Sequence, residues 1–371
     1  MRLFPLAVVA PEISMGLALG QGAIALITVI WPWSGYGWLI VLGGSLGGIA
    51  LSSIPLWQLG TTLHQAQTEM ERGLGVGYGD PIPPALKKQM RPRPFMWLDL
   101  VCGIPVPQEQ VRCDRHRLAT PDGATLAMDL YRPVAATTGG EGLPILVTIH
   151  GGGWQSGQPE DTATFSRYMA AQGYGVAAIA YRHAPDHRFP TQLKDVQTHL
   201  RWLIRYGADY HLDPSRLALV GWSAGAHLAL LATFQGDTPS IQAVVNYYSP
   251  VDLRQGYGDR PRPDPLNVPR VLETFLGGSP DDCPEQYRAA SPLYSVRSGL
   301  PPTLSLYGDR DHLVKPIFGQ QLHQRLQDYG NQSVLIRLPW AEHAFDRVWP
   351  GMGNQIALYY VERFLAHTLQ I

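Results

Sequence analysis

The chain has 371 residues, enough for one large domain or two smaller ones with a sizeable core. Its formal net charge is −1 and its acidic and basic residues are intermixed, which excludes an extended polyanion-binding face, so nucleic acid is not an expected partner. The three cysteines, Cys102, Cys113 and Cys283, are scattered and lack metal-type spacing, so neither a disulfide framework nor a zinc site is indicated.

The first predicted elements are two apolar spans near the N-terminus. Residues 13–68 contain no Asp, Glu, Lys or Arg, although these residues make up 16% of the chain. Ile13 to Trp31 and Tyr36 to Trp57 are each long enough to cross a hydrocarbon core as a helix. The second span and the lack of a small-residue cleavage site argue against the alternative, a signal peptide followed by a core helix. We therefore expect residues 1–60 to form a two-helix transmembrane hairpin.

Aromatic and small residues support the hairpin. Aromatic residues lie near the span ends, where such rings favour the membrane interface: Trp31, Trp33, Tyr36, Trp38 and Trp57. Glycine pairs four residues apart allow helix backbones to approach closely: Gly16/Gly20, Gly43/Gly47 and Gly44/Gly48. The two spans are therefore expected to pack together.

The basic residues predict the orientation of the hairpin. Arg2 precedes it, its short connection has no Lys or Arg, and Arg72, Lys87, Lys88, Arg91 and Arg93 follow it. Because cytoplasmic flanks carry the excess of Lys and Arg, both ends and the following domain are expected to face the cytoplasm. Residues 61–110, with "GLGVGYGDPIPP" and "RPRPF", are predicted to be a linker.

From residue 111 to 371 the pattern alternates between strands and amphipathic helices. The predicted strands are "TLAMDLY", "PILVTIH", "GVAAIAY", "RLALVGW", "IQAVVNYY", "PTLSLYG" and "SVLIRLP". This alternation is typical of an α/β fold with a mostly parallel central sheet and helices on both faces. In such sheets ligands bind at the carboxyl ends of the strands, so the loops there are expected to hold the functional residues.

The loop "HGGGW" follows the strand "PILVTIH". Residues without side chains allow backbone N–H groups to approach a substrate oxygen closely. The alternative is a flexible turn, but HGGG upstream of G-x-S-x-G is a specific pairing. We predict that backbone N–H groups of this glycine loop contribute to an oxyanion hole.

The pentapeptide Gly221-Trp-Ser-Ala-Gly225 stands where a strand pattern becomes a helix pattern. G-x-S-x-G at such a turn forces the serine into a sharp backbone conformation, with its hydroxyl above the sheet. Ser223 is therefore a candidate nucleophile. The N–H of Ala224 starts the following helix and is another predicted oxyanion donor.

A serine hydroxyl needs a base, and the base needs an acid partner. "LYGDRDHLV" offers Asp309 and Asp311 after one predicted strand, and "LPWAEHAFD" offers His343 after the last, in the order Ser, Asp, His. The remaining histidines, including His183 and His187, are interpreted as structural rather than as zinc ligands.

Residues 111–371 resemble the α/β-hydrolase superfamily. Within it they resemble carboxylesterases of hormone-sensitive-lipase type and their feruloyl-esterase-like and prenylcysteine-methylesterase-like relatives. The resemblance is carried by "HGGGW", "YRHAPDHRFPTQLKD", "GWSAGAH", "ASPLYSV", the G-x-x-D-x-x-V form of Gly308 to Val314, and "EHAF". The chain departs from it at Trp222, where hormone-sensitive-lipase-type members commonly have an acidic residue.

The resemblance implies a serine carboxylesterase that works through an acyl-enzyme without metal or cofactor. By position, Ser223 is the nucleophile, Asp311 the acid, His343 the base, and Gly152, Gly153 and Ala224 the oxyanion hole; Asp195 would be a structural carboxylate. An amidase or formamidase, an acyltransferase, and a non-catalytic binding domain remain alternatives. The expected partners are a small or lipid-like ester and the membrane. Residues 256–278, here called the cap segment, are expected to cover the pocket.

Overall fold

The computed structural model describes residues 4–31, 36–134, 142–236, 241–260, 262, 264 and 266–370. Arg2 and Trp33 lie outside the described residues. In the described parts the eight strands are β1 Val111–Ala119, β2 Thr125–Pro133, β3 Leu143–Ile149, β4 Gly175–Ile179, β5 Leu212–Trp222, β6 Ile241–Tyr247, β7 Thr303–Gly308 and β8 Ser333–Leu338. The helices are α1 Phe4–Glu12, α2 Ser14–Ile30, α3 Gly37–Leu74, α4 Pro84–Lys87, α5 Trp97–Cys102, α6 Ala163–Ala171, α7 Thr191–Tyr206, α8 Ala224–Phe234, α9 Leu253–Gly258, α10 Val268–Leu276, α11 Pro284–Ala289, α12 Ile317–Asp328 and α13 Met352–Thr368.

The strands form one sheet in the order β1-β2-β4-β3-β5-β6-β7-β8. β1 and β2 are antiparallel to their neighbours, and β3 to β8 are mutually parallel. The inner strands are buried along nearly their whole length, as expected for a parallel sheet covered on both faces. The predicted α/β fold with a mostly parallel sheet is confirmed.

Strand β1 has no counterpart among the predicted strands. Its sequence "VRCDRHRLA" is rich in charged residues, and only Val111 and Leu118 are buried. Charged residues on an edge strand discourage pairing with another chain, and they also hide the apolar alternation by which strands are recognised.

Helix α3 crosses the boundary at residue 60 that the sequence predicts between hairpin and linker. Ala66, Met70 and Leu74, spaced four residues apart, lie on one face of α3 and pack into the core of the following domain. The predicted linker is also partly packed, because Ile82, Leu86 and Met90 form a cluster with Ala366 of α13.

The N-terminal helices are the most exposed apolar part of the described chain. Helix α3 is long and apolar enough to cross a membrane, and only 11% of its most apolar window is buried. Helices α1 and α2 together are also long and apolar enough to cross a membrane if they are counted as one span with a bend of 80°. Helices α2 and α3 pack against each other. Among the glycines of the predicted pairs, Gly48 is the one at which an added Cβ would meet the neighbouring helix, 3.0 Å from the side chain of Gln21.

Candidate active site

The turn between β5 and α8 places Ser223 at the centre of the carboxyl edge of the sheet. Ser223 has φ 53° and ψ −118°, and its N–H donates to the carbonyl oxygen of Tyr247 on β6. A Cβ at Gly221 would lie 2.5 Å from the nitrogen of Ala226, and one at Gly225 only 2.1 Å from the carbonyl oxygen of Ile149. The two glycines are therefore required for α8 to pack this closely on the sheet, which leaves the serine hydroxyl pointing away from it.

Three of the predicted side chains form a hydrogen-bonded series. The Oγ of Ser223 lies 3.1 Å from Nε2 of His343, and the Nδ1 of His343 lies 2.7 Å from Oδ2 of Asp311. With the proton on Nδ1, His343 donates to Asp311 and accepts from Ser223. Asp311 and His343 are buried, so the hydrogen bond between them is shielded from water. This is the geometry by which a neutral imidazole removes a hydroxyl proton.

The structure distinguishes the two aspartates of "GDRD". Asp311 is held by the N–H groups of Leu313 and Val314, which donate to its Oδ1 at 2.8 and 2.7 Å. Asp309 accepts from Nε of Arg337 at 2.8 Å instead. Asp311 therefore lies against the histidine, and Asp309 belongs to a partly exposed ion pair.

The glycine loop and the start of α8 supply candidate oxyanion donors. Gly152 and Gly153 have φ of +117° and +59°, and a Cβ at Gly152 would lie 2.1 Å from the carbonyl oxygen of Ser156. Among the described residues, no hydrogen bond uses the N–H of Gly152, Gly153 or Ala224. Gly153 and Ala224 line the same pocket as Ser223, so their free N–H groups can receive an oxygen that becomes negative there.

Trp154 and His227 fix this loop to α8. The Nε1–H of Trp154 donates to Nδ1 of His227 at 3.2 Å, and Nε2 of His227 lies 2.6 Å from the carbonyl oxygen of Ala290. Burial lowers the pKa of His227 to about 4, so it stays neutral and its two nitrogens keep opposite roles. The indole of Trp154 also stacks on Phe275 of α10, with ring centroids 4.3 Å apart. These contacts fix the position of the loop relative to α8 and α10.

The sequence prediction missed two carboxylates beside the histidine, the buried Glu342 and the half-buried Asp346. Oε1 of Glu342 accepts the N–H groups of both His312 and His343, at 2.6 and 2.9 Å, and so links the loops that carry the acid and the base. Asp346 accepts the hydroxyl of Tyr248, whose ring centroid lies 4.4 Å from that of His343. Both carboxylates flank His343 within "AEHAFD", but the sequence does not show that they turn inward.

These groups determine the pKa of His343. Burial alone would lower it, but the charge and hydrogen bond of Asp311, together with Asp346 and Glu342, outweigh burial and raise the pKa above the ordinary 6.5. Only the neutral imidazole accepts the serine proton, so activity is expected to fall as the pH falls through this raised pKa. We expect the acid limb of kcat/KM for a short-chain ester to have its midpoint above 6.5. A flat profile between pH 5 and 8 would contradict the role of His343, and a midpoint below 6.5 would contradict the raised pKa.

An apolar pocket lies beside Ser223 beneath the cap segment. Its apolar lining comes from α9, α10, α12 and the loop between α9 and α10: Leu253, Leu266, Val268, Val271, Leu272 and Phe318. Four of these six residues belong to the predicted cap segment, so described residues of that segment line the pocket. An apolar lining next to a serine hydroxyl suits the acyl or alkyl part of a substrate.

Asp195 and Trp222, both noted in the sequence, make contacts that support the fold. Asp195 is fully buried and binds the guanidinium and backbone N–H of Arg182. Trp222 packs against Phe165 and Tyr247 and is not one of the residues that line the pocket of Ser223. In the part of the chain that the structure describes, no group of three or more His, Cys, Asp or Glu is placed to hold a metal ion.

The parallel sheet, the strand–serine–helix turn and the order Ser, Asp, His together define an α/β-hydrolase. The sequence profile of the BD-FAE family matches residues 128–326, more than half of the chain, and the chain belongs to the BD-FAE family. The resemblance to α/β-hydrolase carboxylesterases seen in the sequence is thereby confirmed.

Individual relatives agree with this assignment. The chain is 31% identical to esterase LipC of Mycobacterium tuberculosis over 262 residues, which are 66% of this chain and 63% of LipC. It is 31% identical to an ethyl acetate hydrolase of Pseudomonas putida over 248 residues, 62% of this chain and 74% of that protein. The solved structure of an esterase from Pyrobaculum calidifontis has a TM-score of 0.62 at 23% identity and covers 77% of this chain and 98% of that one. That likeness supports the fold, and the matched segment spans less than two thirds of LipC.

Proposed function

We propose that this protein is a membrane-anchored serine carboxylesterase that hydrolyses a carboxylic ester through an acyl-enzyme. The observation that carries the proposal is the series Ser223–His343–Asp311 at the edge of an apolar pocket, with the free N–H groups of Gly153 and Ala224 in the same pocket. The names of the relatives, an esterase and an ethyl acetate hydrolase, support the same reaction class.

The first half of the reaction forms the acyl-enzyme. The Oγ of Ser223 attacks the ester carbonyl carbon while Nε2 of His343 takes the hydroxyl proton. The carbonyl oxygen becomes negative and is stabilised by the N–H groups of Gly152, Gly153 and Ala224. The bond to the leaving alkoxide breaks, His343 returns the proton to that oxygen, and the alcohol leaves with the acyl group on Ser223.

The second half releases the acid. His343 takes a proton from water, the hydroxide oxygen attacks the acyl carbon, and the same N–H groups receive the negative oxygen. The bond to Oγ breaks, and His343 returns the proton to Ser223. Asp311 remains ionised throughout and stabilises the imidazolium through its hydrogen bond to Nδ1.

A fluorophosphonate probe and a matched substrate panel test this proposal. The probe should form a phosphorus–oxygen bond to Ser223 with loss of fluoride, and peptide mapping should find the label at that residue. The panel pairs each ester with the corresponding anilide and includes a reaction with excess alcohol. Ester hydrolysis supports the proposal. Faster anilide cleavage would indicate an amidase, predominant transfer to the alcohol an acyltransferase, and absence of labelling a non-catalytic domain.

We further propose that α2 and residues 37–54 of α3 cross the membrane as a hairpin, with both ends on the cytoplasmic side. The exposed apolar side chains of the two helices and the aromatic residues that bound the apolar part of α3 support this. Trp57 is 73% exposed at one end and Tyr36 is 84% exposed at the other. At 1.5 Å per residue they are about 31 Å apart along the helix, which matches a hydrocarbon core of about 30 Å.

A charge in the middle of this span should weaken membrane insertion. Leu46 is 54% exposed and lies near the centre of residues 37–54, where an arginine costs about 3 kcal/mol on insertion scales. We expect Leu46→Arg to shift much of the protein out of the carbonate-washed membrane fraction. Val76→Arg adds the same charge at a 91% exposed site beyond the helix and should leave the distribution unchanged. Recovery of the wild-type chain in the soluble fraction without detergent would contradict the anchor.

Point substitution is a sharper test than truncation at residue 60. Such a cut would fall inside α3 and would remove Leu56 and Leu59, which pack against the core. It would also remove Glu12, which is fully buried and accepts the N–H of Gly353 at 2.6 Å. A truncated chain could therefore fail to fold for reasons unrelated to the membrane.

A further inference from the structure

The direction of α3 relative to the sheet determines where the membrane lies. A Cβ at Gly73 would lie 2.5 Å from the side chain of Val334, at the start of β8. Sixteen residues earlier in α3, Trp57 shares a groove with Pro339, which directly follows the end of β8. Helix α3 therefore runs antiparallel to β8, and its earlier, apolar part projects beyond the carboxyl edge of the sheet.

A contact with helix α13 shows which residue of α3 lies at the boundary of the catalytic domain. The hydroxyl of Tyr360 donates to the carbonyl oxygen of Leu63 at 3.2 Å, and α13 begins eight residues earlier, at Met352. The two helices run in the same direction, so Pro55 is level with the start of α13. Residues 37–54 lie beyond that level and extend about 27 Å at 1.5 Å per residue. In the proposed anchor the bilayer thus begins at the carboxyl edge of the sheet.

Helix α1 lies along this same boundary. It is bent by 80° from α2 and contacts residues 345–347, directly after His343. Its inner end is fixed by Glu12, whose Oε2 accepts the N–H of Gly353, and by the hydroxyl of Ser14, which lies 3.5 Å from the sulfur of Met352. On its outer side Leu6 is 61% exposed. A helix with an apolar outer face at the end of a membrane span is suited to the interface.

The candidate active site opens on that edge and close to the anchor. Ser223 directly follows β5, and three neighbouring strand spacings of about 4.8 Å separate β5 from β8. The serine is therefore about 14 Å from the strand that α3 covers. The pocket beside Ser223 is apolar, and Leu266 in its lining is 47% exposed. With residues 37–54 in the bilayer, the pocket therefore lies at the level of the lipid headgroups. Its lining is mostly apolar but includes Asp259 and Lys315, which form an ion pair.

We propose that the active-site pocket faces the bilayer in which the hairpin is inserted, and that the substrate is an ester resident in that bilayer. Its apolar acyl chain passes from the lipid into the pocket beneath α10 and becomes attached to Oγ of Ser223, while its alcohol leaves. This inference rests on the proposed esterase activity and anchor. It places the substrate class among membrane lipids and lipid-like esters rather than small esters dissolved in water.

The orientation is tested without any activity measurement. The three cysteines of the full chain are first replaced by serine. A single cysteine is then introduced either by Leu266→Cys in the cap segment or by Tyr329→Cys in the loop before β8, at the amino edge of the sheet. Each variant is labelled with a fluorescent maleimide in phosphatidylcholine vesicles that contain a lipid with a nitroxide headgroup. We expect strong quenching at position 266 and little at 329. Equal quenching, or stronger quenching at 329, would overturn the orientation. Thermal unfolding before maleimide labelling confirms that each variant is folded.

The substrate class is tested by placing protein and ester in the same or in separate vesicles. With a long-chain fluorogenic ester as the probe, hydrolysis should be at least about tenfold faster in shared vesicles, because confinement to one surface raises the effective concentration. A dissolved aryl acetate should be hydrolysed at the same rate in both arrangements. Equal rates with the long-chain ester would refute the inference, whereas loss of acetate hydrolysis would refute the proposed function instead.

A substitution in the pocket tests whether the acyl chain binds there, independently of the membrane anchor. Val271 lines the pocket, and its Cγ1 would lie 3.5 Å from a Cβ at Gly153. We expect Val271→Phe to lower the ratio of long-chain to acetate turnover by about tenfold or more, within the range that pocket contacts provide. Arg270→Phe puts the same ring at the exposed neighbouring position of α10 and should leave the ratio unchanged. An unchanged ratio in Val271→Phe would show that the acyl chain does not occupy this pocket.

Discussion

Replacement of Ser223 by alanine is expected to lower turnover of a short-chain ester by about a millionfold, the loss found when the nucleophile of a serine protease is removed. The reason is geometric, because the Oγ of Ser223 is the hydroxyl within reach of Nε2 of His343. Without it, His343 and Asp311 have no proton to transfer and no acyl-enzyme forms. Turnover of an aryl acetate, followed by absorbance, measures the loss.

The control lies on the same strand. Ser215 near the start of β5 is exposed and binds Asp213, at the opposite edge of the sheet from Ser223. Ser215→Ala should retain wild-type turnover. Thermal unfolding should show that both variants fold, since Ser223→Ala removes one partly buried hydroxyl. A folded Ser223→Ala protein with near-normal turnover would exclude the acyl-enzyme mechanism on this serine.

The sequence identified the residues at the carboxyl edge because each belongs to a short local motif. The glycines around Ser223 and in the HGGG loop are needed for close backbone approaches, at 2.1 Å for a Cβ at Gly152 or Gly225, so the constraint is visible within five residues. The same holds for the parallel sheet, whose buried strands are continuous apolar runs between helices. The structure brings Ser223, Asp311 and His343 into contact from three loops that these strands position.

The features that sequence reasoning missed depend on contacts between distant segments. Glu12 lies 341 residues from its partner Gly353, and nothing near it in the chain indicates burial. The continuation of α3 past residue 60 had a local signal, the four-residue spacing of Ala66, Met70 and Leu74, but the adjoining glycine-rich stretch obscured it. Glu342 and Asp346 look like surface carboxylates in the sequence. Their inward orientation follows only from how the loop after β8 folds over His343.

Replacement of Asp311 by asparagine is expected to lower kcat about ten-thousandfold, as the corresponding change does in a well-studied serine protease. Asparagine can keep its oxygen toward the N–H groups of Leu313 and Val314, so the loop should hold its shape. Its NH2 group then faces Nδ1 of His343, which must accept. The imidazole proton moves to Nε2 and points at Ser223, so the base can no longer take the serine proton.

Asp309→Asn is the matched control, because it makes the same chemical change two residues away. Asp309 binds Arg337 in a partly exposed ion pair, and such pairs contribute on the order of 0–1 kcal/mol to stability. We therefore expect Asp309→Asn to retain near wild-type kcat. Steady-state kinetics on both variants with one short-chain ester, together with fluorophosphonate labelling rates, measure the difference. A larger loss in Asp309→Asn than in Asp311→Asn would mean that the acid partner of His343 is not the carboxylate 2.7 Å from its Nδ1.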